Sequence, residues 1–589
     1  MNNLEKIIIF GASNTGKNAF EVLNKKYEVV AFCDNDANKH GAQFCGITVI
    51  APSDLQKDNK IIVASLYYAL EIAFQLHNMG CSDISIYKST NEILKVNPSD
   101  LQIFSNFNIS TTQREKNLKD YNNFLDTNVK RPQVIVNQPK VNYHEEVDKN
   151  ILFISYIFPP HGGSGVQRSS KFVKYLKQYG YNPIVVAALD ARAYPYLKLD
   201  EGLLNDINKD ITIIRIDDVY DGMHIMTKNE ATEVLSMLDG VIADDNIMSS
   251  FLDDVWDVNA TKHRITMFAN PWMADTLCAI DKLIDFDKIG VIYTTSAPYY
   301  STLIGFFLKH KFNIPWIADF RDEWTNSPVD LHSLPPTEFE VELEKNILST
   351  PDAIIAINAI AANNYMELFG IPSEKIHTIT NGYDDDDFPT FIPRDNINKR
   401  NKLLIKHGGN PGLLHYGFDI TGLFDAINEL IDNGNIENNK IEICFIGSIK
   451  ADMDIIKGLD KHKIATFKPL LPHFEYITEM SESDVLLNIA GDIPSVHRGK
   501  IFEYLRMGIP ILSLAPKDSV VDVLLQETNA GISFHPSDKV GLSKYIHDSY
   551  RAFFDSGIKY TPNHKQIKQY SREALAKRLI SVINIIKKG

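Results

Sequence analysis

Residues 153–188, FISYIFPPHGGSGVQRSSKFVKYLKQYGYNPIVVAA, decide the fold. An apolar run ends in a Gly-rich loop, a helix-period segment follows, and a second apolar run closes the unit. Strand, loop, helix, strand is the building block of a parallel α/β sheet. Gly162, Gly163 and Gly165 let the backbone approach a ligand closely, and Pro159 and Pro160 stiffen the approach to them. A helix opening near Val166 aims its free N-terminal amides at the loop, which favours an anion there. Such loops are common, so this one speaks to fold class before function.

The same alternation runs through most of the 589 residues, a length that implies roughly three to four domains at about 150 residues each. KIIIFG, EVVAFCD and KIIVAS form a first series that fades near residue 90. Residues 91–148 are polar, Asn-rich and weakly periodic, and read as a linker with one helix. A second series starts at NILFISYIFPP and a third at NKLLIKHGG. The expected units are 1–90, 91–148, 149–380, 381–565 and a C-terminal amphipathic helix in 566–589.

Hydrophobic content is 44% and charged content 23%, which fits a folded globular chain. A formal net charge of −15 leaves no dominant basic face, so nucleic acid is not an expected partner. Five scattered cysteines without a C-x-x-C pair suggest neither a zinc site nor a disulfide framework, and the reducing cytoplasm is the expected compartment. The N-terminus runs straight into a strand pattern without a signal-peptide pattern. The longest apolar stretch, near 61–74, is shorter than the ~18 residues of a spanning helix. Any membrane contact, at the inner face, is therefore expected to be peripheral.

IIIFGASNTGKNAF, residues 7–20, supports two readings. Gly11-x-x-x-x-Gly16-Lys17 approaches a phosphate loop, but Asn18 stands where a magnesium-binding Ser or Thr belongs. The alternative is a Rossmann-like turn, with Asp34 or Asp36 at the end of the next strand to accept from ribose hydroxyls. Residues 10–50 resemble the small N-terminal domain of bacterial sugar O- and N-acetyltransferases. Two glycines usual in that family's turn are Ser13 and Asn14 here, and a purely structural glycine turn stays open.

Further on, a strand ends in Thr294, Thr295 and Ser296, and the strand IPWIADF ends in Asp319, Arg321 and Asp322. Ligands bind at the carboxyl ends of parallel strands, so this charged group is either functional or a structural salt-bridge knot. In HRGKIFEYLRMGIPIL, Gly499 opens a helix whose Lys500 and Glu503, three apart, share a face. A cation beside free helix amides suits a diphosphate, and a carboxylate one turn deeper suits a ribose diol. An intrahelical ion pair is the plainer alternative.

YIFPPHGGSGVQR, IADFRDEW, ITNGYD and GKIFEYLRMGIPIL, in this order, resemble family-4-type glycosyltransferases of the GT-B fold over residues ~149–589. The resemblance implies an α/β fold of two facing Rossmann-like domains, here preceded by a separate small Rossmann-like domain. Residues 149–380 would be the acceptor side, 381–565 the nucleotide-sugar donor side, and 566–589 a helix returning to the acceptor side. It implies transfer from a nucleotide sugar, with retention, to a glycan or lipid-linked acceptor in surface polysaccharide assembly of capsule or O-antigen type. No cofactor or metal beyond the donor substrate is expected. Asp319, Arg321, Asp322 and Lys500 are the implied catalytic residues. Gly162, Gly163, Gly165, Gly408, Gly409, Gly499, Lys500 and Glu503 are the implied donor-binding residues, and Gly11, Gly16 and Asp34 the N-terminal nucleotide candidates. Three parts of the family pattern are missing: the first of its two glutamates falls on Ser495, no basic pair is evident after LLIKHGG, and the usual histidine is absent. His161 and His407 are the histidines nearest the motifs. A non-catalytic nucleotide-sugar-binding or regulatory protein is the alternative reading.

Overall fold

The computed structural model describes residues 4–12, 14–35, 39–64, 69–87, 93–96, 133–190, 199–217, 271–327, 338–388, 401–413, 418–448 and 450–587. Ser13, Asp36, residues 97–132 of the expected linker and residues 218–270 lie outside these.

The first sheet contains β1 (Lys6–Phe10), β2 (Glu28–Cys33), β3 (Gln43–Phe44), β4 (Ile47–Ile50), β5 (Lys60–Val63), β6 (Asp83–Tyr87) and β7 (Ile93–Lys95), in the order β3-β4-β2-β1-β5-β6-β7. Helices α1 (Asn14–Leu23) and α2 (Ala69–Asn78) connect its parallel centre. Alternate side chains of β1 serve two cores: Ile8 and Phe10 one, Ile7 and Ile9 the other. Burial on both faces is why Ile7–Phe10 of β1 is an unbroken apolar run.

The second sheet contains β8 (Val134–Val136), β9 (Asn150–Ile154), β10 (Asn182–Ala188), β11 (Thr212–Ile216), β12 (Val291–Ser296), β13 (Trp316–Phe320), β14 (Ala353–Ala356) and β15 (Ile376–Thr378). The order is β15-β14-β13-β12-β9-β10-β11-β8, parallel except for β8 against β11. Both β7 and β8 fall within the expected linker 91–148, and of residues 133–148 Val134–Val136 join this sheet, against β11. Asn137 accepts from the Ile213 amide at 2.7 Å, and the Asn142 amide donates to Thr212 Oγ1 at 3.0 Å. The principal helices are α3 (Ser164–Gln178), α4 (Pro271–Leu283), α5 (Tyr300–Phe312), α6 (Glu338–Ser349) and α7 (Ala359–Phe369).

The third sheet is wholly parallel: β16 (Leu403–Gly408), β17 (Ile441–Ile446), β18 (Ala465–Lys468), β19 (Val485–Ile489), β20 (Ile511–Leu514) and β21 (Gly531–Phe534), in the order β18-β17-β16-β19-β20-β21. Its helices are α8 (Thr421–Asp432), α9 (Lys450–Leu459), α10 (His473–Ser481), α11 (Lys500–Met507), α12 (Val520–Thr528) and α13 (Lys539–Asp555).

In the second and third sheets the strand order reverses beside the first long strand, between β9 and β12 and between β16 and β19. The crevice outside such a reversal is where doubly wound sheets bind ligands. The Gly-rich loop after β9 and the Gly408–Gly409 turn lie at these two points.

Two crossovers join the halves and pair with each other. Tyr383 and Ser571 form a parallel bridge, and the Tyr383 amide donates to the Tyr570 carbonyl at 3.1 Å. A Cβ on Gly382 would lie 2.2 Å from that carbonyl oxygen, so only glycine permits the approach. After α14 (His564–Lys568), helix α15 (Arg572–Ile586) returns to the second sheet, where Leu575, Leu579 and Ile583 share a core with Phe153, Phe172 and Leu176 of β9 and α3. Buried Lys171 and Lys174 of α3 fasten the first crossover: Lys171 lies 2.9 Å and Lys174 3.0 Å from Asp384. Burial would raise the Asp384 carboxyl, but Lys171, Tyr175 and Lys174 overcome it and hold its pKa at about 2.

Candidate active site

On the third sheet, β16 ends in two glycines that the surroundings require. A Cβ on Gly408 would strike the Tyr476 ring at 2.4 Å. Gly409 has φ +93°, and a Cβ there would lie 2.2 Å from Lys500 Nζ. The Lys500 ammonium thus rests against the glycine turn, 4.8 Å from the Tyr476 ring centroid. Burial lowers its pKa, Glu503 opposes that and Arg498 adds to it. Arg498, just before α11, donates from Nη1 to the Asn410 carbonyl at 2.5 Å. Arg498 and Lys500 thus both lie against the Gly408–Asn410 turn. Gly499 is helical and gives no side-chain cap, and the Ile501 and Phe502 amides donate to the Arg498 and Gly499 carbonyls at 3.1 and 3.2 Å.

One turn deeper, Glu503 Oε1 accepts from His473 Nε2 at 3.1 Å, and Oε2 is buried without a hydrogen-bond partner. Burial alone would lower the His473 pKa, but Glu503 and Asp387 outweigh it and hold it above its ordinary value. Ser495, where a second glutamate would stand, presents its carbonyl to Asn358 Nδ2 of the other half at 2.9 Å.

On the second sheet, Gly163 (φ +116°) precedes α3, with half-buried Gly162 before it. A Cβ on Gly165 would lie 2.0 Å from Arg321 Nη1, so the guanidinium covers the first turn of α3. Arg321 also donates from Nε to the Ser296 carbonyl at 3.0 Å and from Nη2 to the Ala297 carbonyl. Asp322 beside it reaches solvent, yet the protein around it desolvates the carboxyl and pushes its pKa up to about 6; Arg321 opposes this, while Asp319 and Glu323 add to it. Buried Glu323 anchors the same loop by accepting from Asn326 at 2.9 Å and Asn364 at 2.8 Å.

Asp319 requires a correction. Its side chain is fully buried in a two-point ion pair with Arg168, both contacts at 2.8 Å, and Tyr293 and Thr295 also donate to it. Arg168 donates as well to the carbonyls of Ile379 and Thr380. Enclosed this way, Asp319 cannot touch an acceptor; it ties α3 to β13 and to the crossover. Both named histidines are buried, each with Nδ1 on a backbone carbonyl, His161 on that of Phe158 and His407 on that of Leu487. His407 Nε2 has no hydrogen-bond partner, and burial drives the pKa of this ring down to about 3.

In the first sheet the glycines serve packing. A Cβ on Gly11 (φ +116°) would lie 2.5 Å from the Ala64 oxygen, and one on Gly16 1.8 Å from the Gly11 oxygen. Asp34 Oδ2 accepts from the Ala12 amide at 2.8 Å, with Lys39 at 3.5 Å. The acid thus closes its own turn. Among the described residues no cluster of His, Cys, Asp and Glu is placed to hold a metal, and no helix is long and apolar enough to cross a membrane.

Residues 3–87 match the family model "C2185-like, N-terminal", and residues 253–387 match that of Glycosyltransferase Family 4. No curated protein matches the chain. Among solved structures it is similar to sucrose-phosphate synthase from Thermosynechococcus elongatus (12% identity, 74% of this chain and 98% of that one, TM-score 0.48). It is also similar to the catalytic domain of starch synthase IV from Arabidopsis thaliana, bound to ADP and acarbose (10%, 75% and 99%, TM-score 0.44). A third is UDP-GlcNAc 2-epimerase from Methanocaldococcus jannaschii (12%, 74% and 99%, TM-score 0.40). The chain is an α/β protein of three parallel-dominated, Rossmann-like sheets, and residues 253–387 are glycosyltransferase-like.

Proposed function

We propose that the chain transfers a sugar from a nucleotide-sugar donor, with retention at the anomeric carbon, to a glycan or lipid-linked acceptor in surface polysaccharide assembly. The observation that carries this is the group at the β16/β19 reversal. Lys500 and Arg498 flank the Gly408–Asn410 turn, and an unpartnered carboxylate oxygen of Glu503 lies one turn deeper. A nucleoside diphosphate fits its chemistry: phosphates against the two cations and the amides near Gly499, a ribose hydroxyl on Glu503. As the donor bond breaks, negative charge grows on the departing phosphate, so the cations act more strongly in the transition state than in the ground state.

Across the crevice, Asp322 orients or deprotonates the acceptor hydroxyl; a pKa near 6 suits a base that works near neutrality. Arg321 holds the loop after β12 and covers the start of α3. The match to Glycosyltransferase Family 4 over residues 253–387 supports an enzyme of this class. The first unit, similar along its length to a separate family model, assists transfer as an accessory module of the sugar-acetyltransferase N-terminal type.

Ser495 in place of a glutamate favours a second reading, a nucleotide-sugar-binding regulator without turnover. Incubation with a panel of radiolabelled nucleotide sugars separates the two. Release of free nucleotide from one donor, with water or a glycan as acceptor, supports the enzyme; tight binding without release supports the regulator.

A further inference from the structure

Helices α10 and α11 meet in an antiparallel register of two pairs. His473 and Tyr476, three residues apart on α10, face Glu503 and Lys500, three apart on α11. The His473 and Tyr476 rings are themselves stacked, with centroids 6.3 Å apart. The Glu503 side chain is only 12% exposed, so its position is set by these neighbours.

We infer that His473 is a positioning residue for donor binding: it holds Oε1 of Glu503 so that the carboxylate presents the other oxygen, Oε2, to one ribose hydroxyl. This rests on the donor-site reading above. The argument is one of hydrogen-bond capacity. A carboxylate free to turn can accept from both hydroxyls of a ribose diol, one on each oxygen. Here Oε1 already accepts from an imidazole N–H that is itself backed by the negative charge of Asp387. Oε2 is buried and unpartnered, the condition that leaves a polar atom most in need of a ligand. Recognition of the ribose is therefore one-sided, and the two hydroxyls contribute unequally.

The test uses the full chain and calorimetry with UDP, ADP and GDP, followed by the 2′-deoxy and 3′-deoxy forms of whichever binds tightest. In the wild type one deoxy form should bind about 10-fold or more weaker than the other, the range of one hydrogen bond to a charged group. In His473→Ala, where Oε1 is free for the second hydroxyl, the difference between the deoxy forms should collapse. His473→Gln, which restores an N–H donor, should recover it. A merely structural histidine would alter thermal stability but not the ratio of the two deoxy forms. An unchanged ratio in His473→Ala, together with lost affinity in Glu503→Gln, overturns the positioning role and leaves the donor site standing. If Glu503→Gln also binds like wild type, the donor-site reading itself falls.

Discussion

Arg168 of α3 and Asp319 of β13 form a two-point ion pair with neither side chain exposed, although 151 residues separate them in the chain. Removing one partner leaves an uncompensated buried charge. Asp319→Asn should therefore destabilise the second sheet by about 3–5 kcal/mol. Urea denaturation followed by tryptophan fluorescence measures it, since Trp316 lies on the same strand. The folded fraction should keep its nucleoside diphosphate affinity; a variant of wild-type stability with abolished turnover would return Asp319 to the chemistry.

Asp322 is expected to behave in the opposite way. Asp322→Asn should lower turnover by ~100-fold or more while stability and nucleotide affinity stay near wild type. A general base works deprotonated. With its pKa raised to about 6, wild-type turnover should fall as pH drops through about 6, and that acid limb should vanish from the residual rate of the variant. An acid limb unchanged in Asp322→Asn would assign it to another group.

The contrast between these two aspartates marks how far the sequence can be read. The three α/β units are legible because parallel strands buried on both faces read as largely apolar runs between helix-period segments. The motif DFRDEW is legible as a charged strand end. Which of its carboxylates is sequestered depends on Arg168, whose approach is tertiary and leaves no local spacing. Arg498 and His473 escape notice for the same reason: each follows a strand, β19 or β18, whose carboxyl end shares a sheet edge with that of β16, a placement that leaves no local spacing. β8 is hidden because it is a three-residue edge strand among polar residues.

The position of β8 alters where the chain can be cut. Removing residues 1–132 should leave a folded protein that retains donor turnover. Removing residues 1–144 also strips β8 and the Asn137 and Asn142 bonds to the Thr212–Ile213 segment. The shorter chain should melt at lower temperature and aggregate through the bared edge of β11. Equal melting temperatures for the two would refute the assignment of 133–144 to this sheet's stability.

Gly409 and Gly434 both have positive φ, +93° and +70°, but only Gly409 has Lys500 against it. Alanine at either site should cost about 1–2 kcal/mol from backbone strain. Gly409→Ala must in addition displace the Lys500 ammonium, so it alone should lower donor turnover beyond what its stability loss explains. Equal turnover in the two variants would remove the Gly409–Lys500 contact from the mechanism.

Glu503 grips a part of the donor that does not react, so its loss should weaken binding more than it slows the chemical step. The size of the effect follows from the oxygen atoms. Oε1 is committed to His473, and Oε2 is the one left for a ligand. One charge-assisted hydrogen bond is worth about 1.5–3 kcal/mol, against roughly twice that for a carboxylate that holds both ribose hydroxyls. Nucleoside diphosphate affinity in Glu503→Ala should therefore fall by about 10- to 100-fold, since each 1.4 kcal/mol is a factor of ten. Lys500→Ala, by contrast, should lose mainly turnover, because the charge it meets develops as the donor bond breaks. Calorimetry on both variants, set beside their rates of donor hydrolysis, separates the two roles. If Glu503→Ala binds as tightly as wild type, the ribose does not lie on α11, and the donor must be sought elsewhere in the crevice.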